Sequence, residues 1–333
     1  MSEMLNQIRT LGDQLRWAAE MEPPHIGTFS EVLYAGMGGS GIAGDYAAAA
    51  SLAIGTRVHV HKGYGPIPPW AIRVRPLVVA ASYSGDTEET LDFVTSASES
   101  GLTVATVTTG GRLGELTAER RWGTILVPSG LQPRAAAGYM IGAAIRLLEG
   151  AGSIDDHGLA FIEASQLADE MASEGSPAWQ QAEEIAEALE GRIPIIYGGG
   201  PVSSVVAQRW KTQINENAKV PAWYSTLPEL DHNEIVGWET LTELTRDTIA
   251  VVALTDETDH DRVKKRISFT RELTADAVPW VAEVRSSGTS TLARLISLTV
   301  VGDLVSWMLA ERLGVDPVPV ATIENLKQLL AED

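Results

Sequence analysis

Short apolar runs alternate with longer amphipathic stretches through the first half of the chain. EVLYAG (Glu31 to Gly36), VHVH (Val58 to His61), LVVAAS (Leu77 to Ser82), LTVATVT (Leu102 to Thr108) and GTILVPS (Gly123 to Ser129) have the length and β-branched content of strands. Helical stretches lie between most of them, among them GIAGDYAAAASLA (Gly41 to Ala53) and GRLGELTAERR (Gly111 to Arg121). AAAGYMIGAAIRLLEG closes the series with a helix ending near Gly150. Such alternation predicts an α/β fold built on a doubly wound parallel sheet.

Turn signals in GSIDDHG and EGSP place a junction between Ala151 and Ser176. The expected division is a first domain over 1–152 and a second over 153–333, with helices Gly158–Ser173 and Trp179–Glu190 bridging the junction. The pattern then restarts. RIPIIYGGG (Arg192 to Gly200) repeats the strand-then-glycine order of EVLYAGMGG, and PVSSVVAQRWKTQINENAK (Pro201 to Lys219) reads as a helix. PAWYS, DTIAVVALTD and VPWVAEV read as strands, DRVKKRISFTREL as a helix, and Thr289 to Leu313 as a long helix. Two related α/β halves follow from this. The most apolar long segment, Leu292 to Leu309, is interrupted by Arg294 and Asp303, so it reads as a buried helix rather than a membrane span.

Composition narrows the chemistry. The 333 residues, 44% of them hydrophobic, suffice for two cores of ordinary size. A net charge of −19 disfavours nucleic acid and anionic membranes as partners, and an anionic substrate would need a local positive site. The chain has no cysteine, which excludes disulfides, thiolate metal sites and thiol nucleophiles and fits a reducing cytoplasm. The opening MSEMLNQIRTLGDQLRW is amphipathic without an apolar core, so no signal peptide is expected.

The sharpest chemical signal is SYSGDTEET, Ser82 to Thr90. A buried strand runs into a hydroxyl-rich turn and then a helix, which is the geometry of an anion site. Ser82, Ser84 and Thr87 supply hydroxyls, and Gly85 permits close backbone approach. A helix cap explains one of these hydroxyls but not three around a glycine. Without a GxxxxGK[ST] loop, a held sugar phosphate fits better than ATP. AGMGGSGIAGD (Ala35 to Asp45) places Gly36, Gly38 and Gly41 in dinucleotide-loop spacing, but the acidic residue that should follow is missing from VHVHKGYG. The remaining readings are a close helix–strand crossing, or a glycine turn whose Gly38, Gly39 and Ser40 face the ligand of the SYSGDT loop. The second half has ALTDETDHD at the equivalent place, acidic and without glycine, so one phosphate loop per chain is expected.

Other motifs leave alternatives open. Arg134, after Pro133 at an expected helix start, opposes the helix dipole, so either solvent or a ligand must hold it. Glu216 in INENAKVP is either a solvated helix end or a general base. PELDHNEIVGWE (Pro228 to Glu239) offers His232 for acid–base work or as part of a capped turn; no second histidine follows at metal-ligand spacing. His25, His59, His61, His157 and His260 read as surface or structural. Lys327 sits in a short C-terminal helix after a Pro-containing extended piece and reads as solvated.

Taken together, GMGGSGIAGD, SYSGDTEET, QPRAA, NENAKVP, PELDHNEIVGWE and VDPVPVATIENLK resemble the bifunctional phosphoglucose/phosphomannose isomerase family. The resemblance runs from about Tyr34 to Lys327 and implies two SIS (sugar isomerase) domains of flavodoxin-like α-β-α form. It implies interconversion of aldose and ketose 6-phosphates through a cis-enediol. Ser40, Ser82, Ser84 and Thr87 match the phosphate-site positions, with backbone at Gly38, Gly39, Gly85 and Pro133 beside them. Glu216 matches the base, Arg134 the cation at the enediolate, and His232 and Lys327 the residues for ring opening and closure. The resemblance also implies a homodimer, with His232 reaching the neighbouring subunit's site, and no metal or organic cofactor. Two positions depart from the family pattern. Asp86 replaces an amide in the SYSGNT form of the loop, and Val320 stands where a threonine is linked to mannose-phosphate activity, with Thr322 close by. Both departures favour a second reading, a sugar-phosphate sensor or partner protein without turnover. An amino-sugar-phosphate enzyme is disfavoured by the lack of an N-terminal Cys or glutaminase segment.

Overall fold

The structure, a computed structural model, describes residues 2–52 and 56–332. The end of the expected helix at Ala53 lies outside these residues. The chain divides into two compact units. The first comprises Arg9–Glu170 and Ser287–Ser297; the second comprises residues 2–8, 171–286 and 298–332.

In chain order the elements that begin the molecule are α1 (Glu3–Arg9), α2 (Leu11–Glu20), β1 (Glu31–Gly36), α3 (Gly38–Ser51), β2 (Arg57–His61), α4 (Pro69–Val74), β3 (Leu77–Ser82) and α5 (Glu88–Glu99). They are followed by β4 (Val104–Thr108), α6 (Gly111–Arg120), β5 (Gly123–Leu126), α7 (Ala137–Gly150) and α8 (Gly158–Met171). The first unit's sheet is parallel throughout, in the order β2-β1-β3-β4-β5. Central β3 is buried at all six positions, which is why its sequence is a continuous apolar run rather than an alternation. Edge strand β2 is more exposed, and its two histidines lie on aromatic rings: His59 on Trp70, His61 stacked on Phe93. One face of the sheet is closed by a core of Leu33, Val78, Phe93, Val94, Val104 and Leu113, contributed by β1, β3, β4, α5 and α6. Tyr34, Ala47 and Ile141 are buried in β1, α3 and α7.

α2 is held to α7 by a buried guanidinium. Arg146 donates to the carbonyls of Ala18 and Ala19 at 2.8 and 2.9 Å, and to Glu149 at 2.6 Å. These carbonyls belong to the last turn of α2, where helical partners run out; Ala18 also accepts from the Met21 N–H at 3.2 Å. The other Glu149 oxygen accepts from the His157 backbone N–H at 2.7 Å, and the His157 ring faces the same carboxylate.

The second unit repeats the plan with α9 (Pro177–Leu189), β6 (Ile193–Gly198), α10 (Pro201–Gln213), β7 (Trp223–Thr226), α11 (Thr242–Thr248), β8 (Ile249–Thr255), α12 (Asp261–Thr274) and β9 (Trp280–Arg285). Helix α13 (Thr291–Leu313) belongs to the first unit up to Ser297 and to the second beyond it, and α14 (Ala321–Glu332) follows. The sheet order is β7-β6-β8-β9, again parallel. It is the first unit's order without the fifth strand. Two doubly wound parallel-sheet domains are therefore present, as the alternation of the sequence predicts. α13 is the one described helix apolar and long enough to cross a membrane, and it is a core helix with 94% of its most apolar window buried. Its interrupting Asp303 is matched from α10: Arg209 Nε and Nη2 donate to the two Asp303 oxygens at 3.1 and 2.7 Å, and Gln213 adds a third bond at 3.0 Å.

Two predictions concern stability. Asp303→Ala leaves the buried Arg209 charge uncompensated and should cost about 3–5 kcal/mol in urea unfolding; a loss below about 1 kcal/mol would place the pair outside the stabilising core. The His157 imidazolium is held by its hydrogen bond to Glu149, which raises its pKa above the ordinary 6.5 against the opposing effect of burial. Its contribution is therefore full below pH 6.5 and lost as pH rises through the raised value. The destabilisation caused by His157→Gln should be largest near pH 5.5 and shrink through the alkaline range; thermal melts showing the reverse trend would contradict the assignment.

Candidate functional site

The C-terminal ends of β1 and β3 are neighbours, with Gly36 opposite Ala81. In this strand order they flank the point where the chain reverses its direction of winding, the usual ligand position in such sheets. α3 starts directly after β1, and α5 starts after the turn that follows β3. Neither helix takes a side-chain cap: Met37 and Thr87 occupy the capping positions without capping bonds. Thr87 is the kind of residue that caps helices, but here its hydroxyl lies 2.8 Å from Ser82 Oγ. Both helices thus present their first-turn N–H groups at adjacent places.

Hydroxyls stitch the two loops together. Ser40 Oγ, buried in the first turn of α3, accepts from the Tyr83 N–H at 3.1 Å. Ser82 Oγ accepts from Gly85 N–H at 3.0 Å, and Ser84 Oγ accepts from Asp86 N–H at 3.2 Å. Ser40 and Ser84, used here as acceptors, keep their own protons to donate to an anion, and the Ser82–Thr87 pair, which spends one proton between its two oxygens, keeps the other. Gly85 is required in two ways: its φ is +80°, and a Cβ there would sit 1.9 Å from the Gly110 carbonyl oxygen.

Asp86 does not point at this site. Its Oδ1 accepts from the Arg112 N–H at 2.9 Å, so the carboxylate sits in the first turn of α6, where the dipole favours it. The electrostatic objection to an acid in a loop expected to hold phosphate is thereby removed.

The glycines of GMGGSG divide their roles. A Cβ on Gly41 would lie 2.4 Å from the Gly36 carbonyl, so this pair serves the close crossing of α3 and β1. Gly38, at φ +51°, meets nothing within 4 Å and leaves open space above the turn. Gly39 packs against the next loop, where a Cβ would be 3.2 Å from the Pro133 carbonyl and 3.6 Å from Arg134 Cα. That contact brings Pro133 and Arg134 beside the start of α3. Arg134 is not in a helix: it lies in a turn before α7. It is only 4% exposed, and Nη1 is 3.4 Å from Gln132 Oε1, so the solvated reading is excluded. The turn is anchored by Gln14, which donates to the Ala135 carbonyl and accepts from the Tyr139 N–H. The first unit therefore gathers Ser40, Ser82, Ser84, Thr87, Gly38, Gly39, Gly85, Pro133 and Arg134 around the ends of β1 and β3.

In the second unit the helix expected to run through Lys219 changes form. α10 ends at Gln213, and Ile214–Ala218 form a π-helical turn, a wider turn common at functional positions. It is fixed from below by Asn217, fully buried, which donates to Ser306 Oγ at 2.9 Å. Asn215 closes its end on the Val220 carbonyl at 2.8 Å. Glu216 between them is half-buried and lines a cavity of about 590 Å³ with Asn215, Lys219, Pro319, Val320 and Thr322 among its walls. A simple solvated helix end does not describe it.

The PELDHNEIVGWE segment forms two short 3₁₀ turns, Glu229–His232 and Glu234–Glu239. Leu230 and Trp238 anchor it in the core. Asp231 is bound to Arg266 at 2.8 Å and Thr270 at 2.7 Å, and Glu234 accepts from the Tyr197 hydroxyl. Burial and the nearby Glu234 charge push the Tyr197 phenol up, so it stays a donor. With its neighbours so engaged, His232 is left exposed. Lys327 is also exposed, on α14. Among the described residues lining the Glu216 cavity, neither His232 nor Lys327 appears. No group of three or more His, Asp or Glu side chains among the described residues is placed to hold a metal ion.

The equivalent switch point of the second unit already contains a buried carboxyl group of its own. Buried Asp259 accepts from the Asp256 N–H at 2.8 Å, and its other oxygen lies 2.0 Å from where a Gly200 Cβ would stand, at the start of α10. Burial pushes the Asp259 carboxyl above its ordinary value. Asp256 is held by Thr258 N–H at 2.9 Å and Ser286 Oγ at 2.6 Å. These carboxyl groups fill the place that the Ser82–Thr87 turn leaves open in the first unit.

Two parallel sheets of the same strand order, with helices opening at the end of β1 and β3, make this a double SIS-domain α/β protein. Residues 179–330 match the family model described as the bacterial phospho-glucose isomerase C-terminal SIS domain. A bifunctional phosphoglucose/phosphomannose isomerase of Aquifex aeolicus is 35% identical over 335 residues, covering 99% of this chain and 99% of its own. One of Caldicellulosiruptor bescii is 36% identical over 307 residues, covering 91% of this chain and 90% of its own. Among solved structures, a hypothetical protein from Thermus thermophilus superposes with a TM-score of 0.74 at 15% identity, over 99% of this chain and 90% of that one, a likeness of fold. The chain belongs to the bifunctional phosphoglucose/phosphomannose isomerase family.

The cradle makes its own prediction. Gly85→Ala should remove inorganic phosphate binding, because the loop must move away from Gly110 and breaks charge-assisted bonds contributing about 1.5–3 kcal/mol each. Asp86→Asn, whose amide oxygen still reaches Arg112 N–H, should leave phosphate affinity little changed. Calorimetry showing Gly85→Ala unaffected, or Asp86→Asn much tighter, would contradict this geometry.

Proposed function

We propose that the protein interconverts glucose 6-phosphate and fructose 6-phosphate, with mannose 6-phosphate as an additional substrate, through a cis-enediol. The observation that carries this reading is the pair of adjacent helix N-termini without side-chain caps, ringed by Ser40, Ser82, Ser84 and Thr87. Such a site holds a phosphate without transferring it. The names of the full-length relatives point to the same substrates.

The reaction needs a base for a weakly acidic C–H. Glu216 takes the proton from C2 of the open-chain aldose. The C–H electrons form the C1–C2 double bond, and negative charge develops on O1. Returning the proton to C1, with the O2 proton transferred to O1, yields the ketose. A positioned carboxylate contributes about 10²–10⁴-fold to such a step. Arg134 stabilises the enediolate charge, since a guanidinium remains protonated at working pH. His232 and Lys327 are assigned ring opening and closure. The exposure of His232, with Asp231 and Glu234 turned into the fold, supports its service to a partner subunit in a homodimer. A cytoplasmic setting accompanies this reading.

The binding-only alternative rested on Asp86 and Val320. Asp86 is engaged at α6, and the Glu216 cavity has Thr322 in its wall as well as Val320. Both features support turnover. Purified protein supplied with fructose 6-phosphate should produce glucose 6-phosphate in a coupled assay. Glu216→Gln should lower kcat by at least about 10²-fold with sugar-phosphate binding largely kept. A wild-type rate in that variant would remove Glu216 as the base, and binding without any product in the wild type would leave the sensor reading.

A further inference from the structure

We propose that Lys219 is a positioning residue: its ammonium latches the chain at Pro317–Pro319 onto the Glu216 turn and so sets the far wall of the Glu216 cavity. The inference rests on the reading of Glu216 as the base. Lys219 follows the π-helical turn in the left-handed region, φ +59°, which directs its side chain back along the turn it ends. Nζ donates to three carbonyls: that of Glu216, that of Pro319 at 2.7 Å and that of Pro317 at 3.4 Å. An ammonium has three protons, one for each of these carbonyls. A carbonyl cage of this kind directs the charge at backbone and not at substrate.

The segment it grips offers few backbone donors of its own. Pro317 and Pro319 have no N–H, and the Val318 N–H between them is used locally by Asp316 at 2.9 Å. Its carbonyls are therefore the backbone groups through which a donor can hold it. The segment leads straight into Val320 and Thr322, which line the cavity with Glu216, and the Val320 carbonyl accepts from Ile323 and Glu324 to begin α14. Lys219 thus joins positions about a hundred residues apart in the chain, at the place where the cavity has one wall from each.

The latch is tested with Lys219→Asn. Asparagine tolerates the left-handed backbone but is too short to reach the tail. Hydrogen exchange of residues 315–332 should accelerate about tenfold or more in the variant, with the second unit's sheet unaffected. Misplacing the wall should lower kcat for fructose 6-phosphate about ten- to a hundredfold. The inhibition constant of inorganic phosphate should stay at the wild-type value, since phosphate is held by the first unit's loops. Lys219→Arg, which keeps a donor of similar reach, should recover much of both losses; should Lys219→Asn fail to fold, Lys219→Met is read by the same measurements. Unchanged exchange of 315–332 overturns the latch. A phosphate inhibition constant that rises in step with the loss of kcat overturns it too, because the ammonium would then be meeting substrate. The exchange arm needs no turnover, so a wild-type protein without isomerase activity would refute the functional reading and still leave the latch decided.

Discussion

Helices α3 and α5 begin side by side at the end of a buried parallel sheet, and neither borrows a side chain to cap its first turn. An uncapped N-terminus in a partly buried loop is costly unless something anionic completes it. The hydroxyls of Ser40, Ser82 and Thr87 hold the loops together; Ser40 and one of the Ser82–Thr87 pair keep a proton to offer. The rest of the first unit protects this arrangement. Gly85 admits the Gly110 loop, Tyr83 ties its hydroxyl to the Pro128 carbonyl and the Leu131 N–H, and Gln14 fixes the turn that carries Arg134. In a chain of net charge −19, this local concentration of N–H dipoles and one buried guanidinium is what the proposed phosphate site relies on.

The second unit uses the same topology for a different purpose. Its switch point is occupied by the buried Asp259 side chain, which stands where an external anion would have to sit. Its chemical residue, Glu216, comes instead from the far end of α10, on a π-helical turn supported by Arg209, Gln213, Asn217, Asp303 and Ser306. A buried polar network of that kind is worth keeping only if every member is satisfied, and in return it fixes one geometry. The Asp303 that breaks the apolar run of α13 is thus part of what holds the proposed base in place.

Much of this was legible in the residues. Buried parallel strands read as unbroken apolar runs, so β1, β3, β6 and β8 stand out, and SYSGDTEET reads as strand, turn and helix because hydroxyls and a glycine replace the pattern there. The interruptions of α13 were legible as a buried helix for the same reason. What escaped the sequence depends on partners distant in the chain. Nothing in SYSGDT says that Asp86 turns to Arg112, because that direction is set by the close approach of Gly110 and Gly111. The π-helical turn at Ile214–Ala218 has no signature in INENA; it reflects Asn217 reaching Ser306. Arg134 was placed at a helix start because Pro133 suggested one, whereas Gly39 and Gln14 hold it in a turn. Short α4 and α11 carry too few turns for their periodicity to show.

The most direct measurement of the central claim is a crystal structure of the protein soaked with fructose 6-phosphate. The account places the phosphate within hydrogen-bonding distance of Ser40, Ser82, Ser84 and Thr87, over the first turns of α3 and α5. A phosphate found at the start of α10, or anywhere else with the α3 and α5 termini left to water, would contradict it.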